Sequence, residues 1–176
     1  MAFFTLEAAQ AQLSPGGNFG PWIWELKLKA ECISAKEVRI RLPYSDHIAR
    51  PGGVMVGQAM MALADTIMVL AICEKLQRFA TLATISLTTN FIRAAVQQDV
   101  VGVARAVRVG RTTAFGEVDF YVDNSPDPIA QSLSTFAVLP DGRAPSTALT
   151  SASYRTSAIP RPAASAYCGP RERLVR

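Results

Sequence analysis

The sequence predicts an α+β domain in which a strongly curved antiparallel sheet wraps one long central helix. Three observations carry that expectation. First, residues 54–73 (VMVGQAMMALADTIMVLAIC) are apolar on every side, with a single charge, Asp65, near the middle. Ala, Leu and Met favour helix, and a helix that is hydrophobic all round lies in a core or in a membrane. Second, the flanking segments alternate apolar and polar residues with the period of strands that bury one face. Third, four strand patterns follow the helix with no crossover helix between them, which a doubly wound parallel sheet would need.

In chain order, residues 5–13 (TLEAAQAQL) read as a short amphipathic helix with Thr5 as its N-cap, ended by Ser14-Pro15-Gly16-Gly17. Residues 22–33 (WIWELKLKAECI) and 37–42 (EVRIRL) read as a strand hairpin joined by Ser34-Ala35-Lys36. Residues 43–53 form a loop that turns at Pro51-Gly52-Gly53 and delivers the chain to the helix. Strands are expected at 80–94, 100–109, 112–122 and 129–139, with turns at Gly110-Arg111 and at 124–127. Residues 1–20 therefore form an N-terminal helix and linker, and 21–142 the domain. Residues 143–176, rich in Ala, Ser, Pro and Arg, read as a disordered basic tail.

The 176 residues, 49% apolar and 18% charged, suit one domain with a sizeable core. The formal charge of +4 belongs to the tail. Residues 1–142 hold 12 Lys/Arg and 13 Asp/Glu, whereas 143–176 hold six Arg and one Glu. The body thus carries no nucleic-acid footprint. A membrane span is disfavoured, because Asp at its centre costs about 2.5–3.5 kcal/mol and no second long apolar run follows. Three scattered cysteines and one histidine offer neither a disulfide framework nor a metal site. The N-terminus lacks the basic region of a secretory signal, so a reducing cytoplasm is expected.

A lone carboxylate in an apolar helix needs a reason. Asp65 either bonds a neighbouring group structurally or serves as a general base or nucleophile. At this point the residues carry a family likeness. The strand–strand–helix–four-strand order, with Gly57 opening the helix and an acid eight positions later, resembles the hotdog fold. More narrowly it is similar to the PaaI-like and 4-hydroxybenzoyl-CoA thioesterase group. The specific part is residues 57–66 (GQAMMALADT), joined by 89–93 (TNFIR) and 109–112 (VGRT). The chain departs from the pattern at the helix start. Family members often carry His-Gly-Gly where Val56, Gly57 and Gln58 stand here, and Arg50 replaces a frequent Asn.

The resemblance implies hydrolysis of acyl-CoA thioesters, short- to medium-chain or aromatic, in a homodimer that could pair further into a tetramer. Coenzyme A enters only as part of the substrate, and no cofactor, metal, nucleic acid or membrane is involved. Thioester hydrolysis needs a donor for the developing oxyanion and a base or nucleophile at the carbonyl carbon. The free first-turn N–H at Gly57 suits the first role and Asp65 the second. Thr84 matches a position whose hydroxyl helps hold the water, although Thr is also common in strands. Eight residues of helix rise about 12 Å, so one chain can hardly bring Gly57 and Asp65 to one carbonyl. Two antiparallel helices across a twofold axis can.

Gln58 joins Gly57 at the helix start as a substrate contact. Asn90 either bonds across the sheet or lines the site. Arg93 and Arg111 either bind coenzyme A phosphates or are solvated surface groups. Arg50 either sits beside the thioester or pairs with Asp46. His47 has no nucleophile elbow to serve, and no catalytic role is expected of it. Met55, Met60, Met61 and Met68 fill the core or shape an acyl pocket. Two rivals to the hydrolase remain: a non-catalytic acyl-CoA binding or sensing module, motivated by the altered helix start, and a scaffold in which Asp65 only ties helix to sheet.

Overall fold

The computed structural model describes residues 4–140, so the expected tail lies outside the described residues. The chain opens with α1 (Leu6–Gln12), whose first turn is capped by Thr5 accepting from the Ala8 amide, as its sequence predicts. A short α2 (Pro21–Glu25) leads into β1 (Lys29–Ile33) and β2 (Val38–Leu42). A 3₁₀ turn (Asp46–Ile48) and a two-residue ribbon, β3 (Ala49–Arg50) and β4 (Val54–Met55), precede the long α3 (Gly57–Leu76). Then come β5 (Leu82–Phe91), β6 (Val100–Val109), β7 (Thr113–Val122) and β8 (Ala130–Val138).

Six strands form one antiparallel sheet in the order β1-β2-β6-β7-β8-β5. Its register slips at Glu31 in β1, at Ile85 in β5 and at Val107 in β6. An extra residue in one strand bends it and sharpens its twist, and these three irregularities curve the sheet around α3. Leu63, Ile67, Met68, Leu70 and Ile72 of the helix are fully buried against Ile40, Leu42, Val118, Phe120 and Phe136 of the sheet. Each such side chain contributes about 1.5–3 kcal/mol. Gly116 on β7 leaves room for Met68, whose sulfur occupies the place a Cβ would take.

Two sequence expectations are corrected. Residues 22–25, expected as strand, are helical. Pro21 stands at the first helical position behind Gly20, where its fixed φ favours the turn and its missing N–H does no harm. The alternation of WIWELKLK imitates a strand, but Lys27 turns the chain at φ 52° and the strand begins only at Lys29. The central helix also runs past Cys73 to Leu76, ending at Gln77 in the left-handed region. Glu74, which follows the apolar run, is fully buried and accepts the Phe4 amide at 2.9 Å.

The two sheet edges differ. At β1 the side chain of Gln10 lies along the strand, donating to the Leu28 carbonyl at 3.0 Å and accepting from the Ala30 amide at 2.9 Å. The helix α1 thus occupies that edge with a side-chain amide in place of another strand. At the opposite edge β5 pairs with β8 alone among the described residues. Its ten residues carry neither Lys nor Pro and leave Ile85 and Phe91 more than half exposed. No helix among the described residues is long and apolar enough to cross a membrane.

Candidate active site

The helix that the sequence presents as apolar all round has one uncovered stripe. Gln58 and Met61 are exposed and Asp65 and Val69 half-exposed, at spacings that put all four on one face. Asp65 therefore does not lie sealed in a core. Its Oδ1 accepts the Thr84 hydroxyl at 2.6 Å, a contact that fixes the carboxylate's orientation and joins α3 to the open edge strand.

At the start of the helix, Val56 is the N-cap and offers no side-chain acceptor. The Ala59 amide turns back to the Val56 carbonyl at 3.2 Å. The amides of Gly57 and Gln58 receive no side-chain cap, which leaves the positive end of the helix dipole facing outward. They face a cleft of about 600 Å³ whose walls include Arg50, Val56, Gln58, Phe91 and Arg93. The far wall is set by backbone: the Met55 amide bonds the Ala95 carbonyl at 2.9 Å, and the Gln97 amide bonds the Gly53 carbonyl across the turn at the same distance. That turn needs its glycines, with φ of 92° at Gly52 and 72° at Gly53.

Phe91 lies within the TNFIR motif, where the sequence assigns it no role, and the structure supplies one. A Cβ on Gly57 would stand 2.8 Å from Phe91 Cζ, so the ring lies directly on the glycine. Only a folded chain brings these residues together, and no local signal in the sequence points to the contact.

The sequence-derived candidates divide into two groups. Gly57, Gln58, Arg50 and Arg93 share the cleft. Arg50 is exposed there, and the described ion pairs do not join it to Asp46, which takes the Tyr44 hydroxyl at 3.1 Å instead. Arg93 is held toward the β7–β8 turn, donating to the Asp127 carbonyl at 2.8 Å and to Ser125 Oγ at 3.3 Å. Asp65 and Thr84 line no part of that cleft. Asn90 stands exposed on β5 opposite Gln131. Arg111 is exposed in the β6–β7 turn, beside the β8 end that pairs with Leu82, and so at the opposite end of β5 from Phe91. No cluster of three or more His, Cys, Asp or Glu among the described residues is placed to hold a metal ion.

Comparison with known proteins bears on this arrangement. Residues 52–129 match the family model of the thioesterase superfamily. A solved structure from Silicibacter sp. TM1040, named a thioesterase, aligns with a TM-score of 0.70 over 80% of this chain and 95% of that one, at 27% identity. A thioesterase structure from Haemophilus influenzae aligns with a TM-score of 0.68 over 77% and 91% at 23% identity, a likeness of fold alone. A Thermoplasma volcanium protein carrying the name esterase is 29% identical over 96 residues, which is 54% of this chain and 71% of that protein. The matched segment spans the helix start, Asp65 and Thr84, and the curved sheet around one helix is shared, so the chain has the hotdog fold and over residues 52–129 is similar to the thioesterase superfamily.

Proposed function

We propose that the protein hydrolyses acyl-CoA thioesters of short or medium chain or aromatic acyl groups, at two sites shared across a homodimer. The observation that carries this reading is the placement of Asp65. An oriented, half-exposed carboxylate sits on the uncovered face of α3 beside an open sheet edge, about 12 Å along the helix from the uncapped amide at Gly57.

A twofold partner resolves the separation. When two copies of β5 pair antiparallel, the Thr84 end of one strand lies against the Phe91 end of the other. Asp65 of one copy then approaches Gly57 of the second. The same operation carries Arg111, stranded at the far end within one chain, toward the cleft of the second copy. Pairing also covers an edge that would otherwise be a ready template for aggregation.

The chemistry follows from these groups. The thioester carbonyl oxygen points at the Gly57 N–H, which holds the negative charge as it develops. Asp65 takes a proton from water as the water attacks the carbonyl carbon, with the Thr84 bond keeping the carboxylate aimed. In the nucleophilic variant the carboxylate itself attacks and water resolves the acyl intermediate. Collapse of the tetrahedral species breaks the carbon–sulfur bond, and the proton taken by Asp65 goes to the departing thiolate. Arg50, Arg93 and Arg111 suit the phosphates of coenzyme A.

The test is free-thiol release from a panel of acetyl-, hexanoyl-, octanoyl- and benzoyl-CoA, for the wild type and for Asp65→Asn. Turnover that disappears in the variant supports the reading, and equal turnover by both rejects the mechanism. Binding without release on every substrate favours the sensing module instead, a reading motivated by Val56 and Gln58 at the helix start and by the Phe91 ring resting on Gly57.

A further inference from the structure

A second cavity lies beside the helix start, and the thioester reading leaves it unassigned. It measures about 250 Å³ and is walled by Trp22 and Leu26 of the α2 segment, His47 and Ile48 of the 3₁₀ turn, and Val56 and Ala59 of the helix start. The cavity is predominantly apolar. Trp22 at its mouth is 60% exposed, a large aromatic surface with little of its own chain to cover it.

Its position decides what it suits. Val56 and Gln58 border both this cavity and the 600 Å³ cleft. The Gly57 amide lies between those two residues in sequence, where the two hollows adjoin. A thioester carbonyl carbon carries two substituents that diverge: the acyl chain on one side and the sulfur on the other. The cleft has two arginines at its rim, whereas the cavity offers mainly hydrocarbon and an indole face, with Glu25, His47 and Gln58 as its polar lining. A polar, phosphate-bearing arm suits the former and an apolar chain the latter.

We propose that this cavity is the acyl subsite, and that Trp22 and Leu26 set which acyl groups are accepted. The assignment rests on the thioester reading above, and it goes beyond that reading by naming a pocket built largely outside the central helix. A cavity of this size, below the usual range for drug-sized ligands, takes a short aliphatic chain or a single aromatic ring. Trp22 and Leu26 are the two large apolar side chains that the α2 segment contributes to its lining.

Two full-length variants and one binding probe test this. Leu26→Trp, which fills the cavity, is expected to lower kcat/KM for hexanoyl- and benzoyl-CoA at least tenfold while acetyl-CoA changes less than threefold. Trp22→Ala, which opens the mouth, is expected to move the preferred chain length upward. As a readout independent of turnover, hexyl-coenzyme A thioether is titrated against tryptophan emission. The wild type should respond and Trp22→Phe, which retains Trp24, should not. Hydrolysis with chain-length profiles unaltered in both variants and no emission response overturns the subsite and leaves the hydrolase standing. An emission response dependent on Trp22, with no hydrolysis of any thioester, upholds the pocket and removes the hydrolase. Melting curves for both variants show whether a changed profile comes from a folded protein.

Discussion

The Thr84 hydroxyl donates to Asp65 Oδ1 at 2.6 Å, bridging the central helix and the edge strand β5. The bond fits two roles, orienting a catalytic carboxylate or tying helix to sheet, and one pair of measurements separates them. If Asp65 is the base, Asp65→Asn keeps the shape and lowers kcat by about 10²–10⁴-fold, with little change in melting temperature. If the tie is structural, the same variant keeps an acceptor for the Thr84 hydroxyl but loses the acceptor's charge, worth about 1 kcal/mol, and melts earlier. Thr84→Val isolates the bond itself and should reduce kcat more than it raises KM.

Gly57 and Phe91 make a second testable pair. An alanine at 57 puts its Cβ 2.8 Å from the ring, so Gly57→Ala should both destabilise the fold and depress kcat/KM. Combining it with Phe91→Leu frees space and should recover the melting temperature. Activity should stay down by about 10²-fold, because the added methyl still keeps the thioester from a close approach to the amide.

Mixing two inactive proteins tests whether sites are shared. Gly57→Val damages the amide side and Asp65→Asn the carboxylate side. When the two variants exchange subunits, half the dimers are mixed and each of those holds one intact site. Activity should return to roughly a quarter of the wild-type value. A site complete within one chain would give no recovery at all.

Away from the cleft, Arg41 gathers acids on the outer face of the sheet. It binds Asp123 through its two terminal nitrogens, Nη1 and Nη2, at 2.8 and 3.1 Å, and also contacts Glu31 through Nε and Asp99 through Nη1. The Arg41 hydrogen bonds, and secondarily its charge, hold the Asp123 carboxyl below its ordinary 3.8. The stabilisation is therefore fully present above that ordinary value and fades as pH falls through the lower folded-state value. Asp123→Asn should melt earlier than the wild type at pH 7, by no more than about 1 kcal/mol for so exposed a pair. The difference should close at strongly acidic pH, and thermal melts of both proteins from neutral to strongly acidic buffer read it directly.

Much of this architecture is legible in the residues. Strands β7 and β8 bury alternate residues, so alternation marks them within a residue or two, whereas β6 is buried on both faces from Val100 to Ala104 and is marked by its run of valines. The helix is plain from its composition. What periodicity does not report is which chain covers a face. An apolar stripe that the protein's own sheet leaves partly open reads the same as one it closes, and so Met61 and Val69 read as core although Met61 is exposed and Val69 only half-buried. The turn at Pro21 escapes the pattern because apolar residues two apart satisfy a strand and a single helical turn alike. Phe91 on Gly57 and Gln10 on β1 unite positions distant in sequence, and local pattern is silent about such contacts.

The Gln10 side chain along β1 has a consequence for where the chain can be cut or tagged. A closed pair requires that each sheet expose one joining side and block the other. A protein lacking residues 1–12 would bare both. Such a sheet can add neighbours on either flank without ever closing, so the shortened protein should form longer assemblies than the intact one.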